Sequence, residues 1–136
     1  MKIRDDLYLM HQPDYHVTIE DAMKLIHFLS TDIASDAPKI HWSYHPERNN
    51  SNLFLGTGLN DGKERVIIQK YFYKDGMDVI LEFYEGPLLR YSVVDLCFEP
   101  ETSALLKLYA QVAPRVFEHA LRHRTGGRML REINPK

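Results

Sequence analysis

His119 and His123 stand four residues apart in a segment of helical period, a spacing that places two imidazoles on one side of a helix and can supply two metal ligands. Between them lie Ala120, Leu121 and Arg122. The glutamate that would act as general base beside such a pair is absent, and the Arg122 charge opposes a second cation. The pair therefore reads as boundary histidines near a helix C-terminus, where the helix dipole favours them. His41 and His45 share the spacing but fall in an extended segment. At ~3.3 Å per residue they lie about 13 Å apart, too far for one metal. Cys97 is the single cysteine, so neither an internal disulfide nor a multi-cysteine zinc cluster can form. No glycine-rich turn or helix start follows it, and it reads as a small buried hydrophobe rather than a nucleophile. Glu82 and Asp95 are expected on one sheet face as a carboxylate pair, without a third group to complete acid–base chemistry. Gly56-Thr57-Gly58 and Gly126-Gly127-Arg128 lack the strand–loop–helix context of an anion site and read as turns. These residues predict no metal and no cofactor, and they favour a non-enzymatic role.

The elements that would carry them follow from periodicity. Residues 1–16 show no sustained period and read as an irregular arm with a short extended piece over 3–10. Thr18, with Asp21 three residues on, resembles a capping box, and Ile19, Ala22, Met23, Ile26 and Leu29 form one apolar stripe. Five extended segments follow, at 40–45, 52–58, 65–74, 77–85 and 89–98, separated by turn signals that include Asp75-Gly76 and Gly86-Pro87. Glu99-Pro100-Glu101-Thr102-Ser103 opens a second helix, whose stripe runs through Leu105, Leu108, Val112, Val116 and Ala120 to His123. Pro114 inside it predicts a kink or a break. The expected fold is α+β in a single domain spanning 1–136: an N-terminal helix, a five-stranded antiparallel meander and a C-terminal helix.

A two-residue turn at Asp75-Gly76 pairs Lys74 with Met77 and fixes two faces. One carries Phe72, Val79, Leu81 and Phe83, joined by Val94, Leu96 and Phe98, and is the core. Lys70 is its one misfit, with a stem that could lie along the sheet. The other carries Ile67, Tyr71, Tyr73, Ile80, Tyr84, Tyr91 and Val93 among Gln69, Asp78, Glu82, Asp95 and Cys97. Tyrosines beside aliphatic residues suit a protein–protein contact. The candidate interaction residues are therefore Tyr71, Tyr73, Ile80, Tyr84, Tyr91 and Val93, unless the last helix covers them.

Seventeen Lys+Arg against nineteen Asp+Glu give a net charge of −2, too balanced for a chain devoted to nucleic acid or anionic lipid. The charge is uneven, because residues 115–136 hold six Lys+Arg and two Asp+Glu. Arg122, Arg124, Arg128 and Arg131 thus form a basic end, with 125–136 as a tail. It lacks the interleaved aromatics of a nucleic-acid surface. The longest apolar run is four residues, Leu7 to Met10, so no membrane span is expected and the chain reads as cytoplasmic. The leading expectation is a protein–protein interaction module of adaptor, inhibitor, immunity or secretion-chaperone type, bound to a protein partner or to itself as a homodimer. Two alternatives stand beside it: a small-molecule or catalytic cone with a pocket lined by the Tyr/Glu/Asp face, and a nucleic-acid accessory acting through the basic tail.

Overall fold

The computed structural model describes residues 7–11, 16–46, 51–74, 76–95 and 103–123, with backbone alone at 11, 46, 51, 52, 72, 73 and 118–123. A short strand, β1 (Leu7–His11), precedes the helix α1 (Ile19–Ile33). Thr18 is its N-cap: the Asp21 amide donates to Thr18 Oγ1 at 3.3 Å, and the Thr18 amide donates to Asp21 Oδ2 at 2.8 Å. This reciprocal pair satisfies two amides that the first turn leaves without partners, as the sequence anticipated. Ala22, Ile26, Leu29 and Ile33 form the buried stripe. At the far end the Asp32 carboxylate accepts the amides of Lys39 and Ile40 at 2.9 and 3.1 Å, which fixes the chain's turn into the sheet.

The strands β2 (His41–Pro46), β3 (Ser51–Leu59), β4 (Glu64–Tyr73), β5 (Gly76–Glu85) and β6 (Leu88–Asp95) follow, and α2 (Ala104–His123) closes the described chain. They form one antiparallel sheet in the order β1-β6-β5-β4-β3-β2. The class is α+β as expected, but among the described residues the sheet has six strands rather than five. The sixth is β1, which falls largely within the short extended piece expected over 3–10 of the arm but was not counted as a strand of the sheet. Leu7 and Leu9 turn inward from it while Tyr8 and Met10 stay about half exposed, an alternation too short to stand out among polar neighbours.

Both helices lie on one face of the sheet. Leu105, Leu108, Val112 and Val116 of α2 join the α1 stripe over Phe54, Val66, Ile68, Leu81 and Val93. Each such side chain, fully buried, contributes about 1.5–3 kcal/mol. The helices are tied where Ser30 Oγ donates to Gln111 Oε1 at 2.6 Å and Gln111 Nε2 donates to the Ser30 carbonyl at 3.3 Å. Lys70 is half-buried, and its ammonium lies 4.5 Å from the centre of the Tyr109 ring. The second helix starts at Ala104 with Ser103 before it, and Ser103 Oγ accepts the Leu106 amide at 3.0 Å. It runs through Pro114 without a break. Pro114 and Ala110, whose carbonyl loses its usual helical donor, both sit on the exposed side, where water can replace that bond.

Two registers differ from expectation. The β4–β5 hairpin closes at Tyr73↔Gly76, so Phe72 meets Met77 and Ile68 meets Leu81. This arrangement pairs all ten residues of each strand. The expected register would have set Glu64 opposite Pro87, which has no amide to donate. The shift is two residues, so every side chain keeps its face. Gly76 is the first residue of β5, and its φ lies outside the left-handed region; Gly86, at φ +58°, is the glycine that a turn requires. Asp75 lies outside the described residues.

The second difference flips a face. The β5–β6 hairpin opens with Glu85↔Leu88 and Tyr84↔Leu89, then resumes at Phe83↔Tyr91. Arg90 is the extra residue of a β-bulge, and it moves everything after it by one position. Without it Leu81 would pair with Ser92, and Val94 would face the core, which is the expected arrangement. With it Leu81 meets Val93. Tyr91, Val93 and Asp95 are therefore on the helix-covered face, buried, while Val94 is on the other.

Candidate interaction face

The face opposite the helices is built in rows across the sheet. One row crosses all six strands as Tyr8, Val94, Ile80, Gln69, Leu53 and His45. The next runs Ser92, Glu82, Ile67, Leu55 and Ser43, and a third pairs Tyr84 with Arg65, Thr57 and His41. Asp78 and Tyr71 begin a row at the other end of the strands. Among the described residues no helix or strand packs against this face.

Its centre is tightly flanked, with Ile80 and Val94 each only 8% exposed beside the buried polar side chains of Gln69 and Ser92. Tyr71, Tyr84, Ile67, Leu53 and Leu55 are half-buried around them. Tyr84 is held on two sides. Its hydroxyl donates to Glu82 Oε1 at 3.2 Å, and the Arg65 guanidinium lies 4.6 Å from its ring centre. Arg65 is in turn fixed by donating to the Gly86 carbonyl at 2.7 Å. Partial burial, followed by the Glu82 charge and hydrogen bond, pushes the Tyr84 hydroxyl pKa above its usual value, against a smaller opposing pull from Arg65.

Of the six candidate interaction residues, Tyr71, Ile80 and Tyr84 share this face. Tyr91 and Val93 do not, because the Arg90 bulge turns them into the core. Tyr73 is described by its backbone alone, paired with Gly76. Four contributors escaped the sequence reading: Tyr8, Leu53, Leu55 and Val94. The alternation of Leu53 with Leu55 was a signal that could have been used; the parity of Val94 was not recoverable without the bulge.

The candidate chemistry separates in the same way. Glu82 and Asp95 are on opposite faces, so no carboxylate pair forms, nor a pocket that both could line. Asp95 is 2% exposed and accepts the Ser103 hydroxyl at 2.5 Å, tying the end of β6 to the start of α2. His41 and His45 are exposed on the edge strand, with His45 Nε2 3.0 Å from Ser43 Oγ. Gly56, Thr57 and Gly58 belong to β3 rather than to a turn. The side chains of His119, Arg122 and His123 lie outside the described residues, as do Cys97, Gly126, Gly127, Arg124, Arg128 and Arg131 altogether. Among the described residues no three His, Cys, Asp or Glu side chains gather as a metal site. No helix there is long and apolar enough to cross a membrane.

What this face can do chemically is bury apolar surface and offer tyrosyl hydroxyls at its margin. Comparison with protein-family models, curated proteins and solved structures finds no match to the chain, so its function has to be argued from this geometry.

Proposed function

We propose that the chain is a non-enzymatic protein–protein interaction module, and that a second copy of itself occupies the open sheet face. The observation that carries this reading is the placement of both helices on the opposite face, which leaves a mixed face of tyrosine, aliphatic and polar side chains without a described cover. A solvated antiparallel face ordinarily alternates to polar residues more cleanly. Six strands spaced about 4.8 Å apart make the face roughly 24 Å across. Four rows at about 6.7 Å make it roughly 20 Å along the strands. A standard interface takes roughly 800 Å² of accessible surface from each partner, so the whole face and its rim have to be covered.

Charge favours a second copy over an unrelated surface. Asp78 lies in the row at one end of the strands and Arg65 in the row at the other end. A two-fold axis running along the rows sets each end row of one copy against the opposite end row of the other. The acidic end then meets the basic end twice, the self-complementarity that an isologous dimer requires.

Tyr71→Lys tests it. The new ammonium faces Asp78, its cross-strand neighbour, so the folded monomer gains an opposite-charge pair while the interface receives a desolvated cation. Several kcal/mol of desolvation correspond to a dissociation constant weakened by roughly 10² or more. Light scattering should give a dimer for the wild type and a monomer for the variant, with the melting temperature of the dilute protein retained. A wild type that stays monomeric at every concentration removes the homodimer. A variant that cannot fold makes the face a second core instead.

A further inference from the structure

On the other side of the molecule, where the end of α1 and the fourth turn of α2 diverge over the edge strand β2, a cavity of about 390 Å³ opens. That is within the range of roughly 300–1,000 Å³ typical of small-molecule sites. Its walls are Ile33, Ile40, Trp42 and Val116, with Arg115 as its charged residue; His41 also lines it, from a strand position whose side chain belongs to the open sheet face. Ile33, Ile40 and Val116 are also core residues, so the walls are held by the fold rather than by loops.

We propose that this cavity binds a small organic anion with an apolar, ring-containing body. Three observations support that class. Arg115 is exposed, and among the described residues it has no acidic partner, although the chain as a whole carries two excess negative charges. A guanidinium at the rim of an apolar cavity is suited to grip a planar carboxylate or a sulfonate in the paired geometry that an ammonium cannot reproduce. Trp42 supplies a flat wall for ring stacking, and its indole N–H is buried with no acceptor among the described residues. No acidic side chain lines the cavity, so nothing there selects a cation. The site is separate from the open sheet face and does not depend on it.

Trp42 is the only tryptophan and therefore a built-in reporter. The probe is 1-anilinonaphthalene-8-sulfonate, an anion with an apolar ring body, titrated into the full chain with energy transfer from Trp42 as the signal. One saturable site is expected. N-phenyl-1-naphthylamine, which has the same rings without the sulfonate, should bind at least about ten-fold more weakly, because it forgoes the charge-assisted bonds. Arg115→Glu should weaken the sulfonate by a similar factor or more, with Arg115→Lys in between. Tyr71→Lys, on the opposite face of the sheet, should leave the titration unchanged, so failure here and failure of the dimer are told apart. Absence of a saturable transfer signal, equal binding of the neutral dye, or an Arg115→Glu titration that matches the wild type in a protein with an unchanged melt each overturns the assignment.

Discussion

Tyr91 shows what a single residue's environment does to its chemistry. Buried beneath the helices and near the charges of Asp21 and Glu64, its hydroxyl is pushed up to about 12, mainly by burial. The neutral form is the one the fold favours. Its contribution is therefore complete below the unfolded value near pH 10 and is lost as the pH climbs from there through about 12. Tyr91→Phe should leave the melting temperature at pH 7 nearly unchanged and flatten the decline of stability between pH 10 and 12. Melts of both proteins across that range decide it. Asp21 gives the opposite sign. Hydrogen bonds from the Thr18 backbone, and then from its side chain, hold the Asp21 carboxyl below its ordinary 3.8. Its stabilisation is present above the unfolded value and disappears as the pH falls through the lowered folded one. The difference in melting temperature between wild type and Asp21→Ala should thus be larger at pH 6 than at pH 3. A constant difference would mean that the charged cap contributes nothing.

At the level of elements, how well the sequence could be read depended on how many residues spoke for each feature. The first helix was legible because a cap and five apolar positions agree on one period. The sheet class was legible because turn signals recur through 40–98. The facing of β6 was not, since it turns on Arg90 alone and a bulge leaves no compositional mark. That one residue moved Tyr91 and Val93 out of the candidate site and brought Val94 into it. The Asp75-Gly76 pair misled more mildly, because a two-residue shift preserves the faces. It does change which glycine matters. A side chain at Gly76 would meet nothing within 4 Å, whereas Gly86 holds φ at +58°. Gly76→Val should stay within about 0.5 kcal/mol of wild type, and Gly86→Val should lose more than about 1 kcal/mol in urea unfolding. Gly56 is constrained by space instead: a Cβ there would lie 2.9 Å from Trp42 Cζ3. Gly56→Ala should cost about 1–3 kcal/mol and shift the Trp42 emission, because the ring must move off the strand.

For the whole molecule, the proposed dimer makes stability a function of concentration. A partner that binds only the folded chain raises the melting temperature by mass action. The wild-type melt should therefore move upward as protein concentration increases, while Tyr71→Lys, which retains the fold but not the contact, should melt at one temperature throughout. A wild-type transition independent of concentration would match a monomer and refute the proposal.

The position of β1 has a kinetic corollary. The other five strands form an uninterrupted meander of sequential neighbours, whereas β1 joins the sheet by pairing with β6, the last strand among the described residues. Closing that long loop is the entropically expensive step, and contacts of such separation tend to form late. β1 can therefore leave without unravelling the rest, which would bare the backbone edge of β6. Amide deuteration should reach Leu7–His11 well before β4 and β5. At high concentration the vacated edge can accept the same strand from a neighbouring chain, a swap that would link copies with no new surface at all.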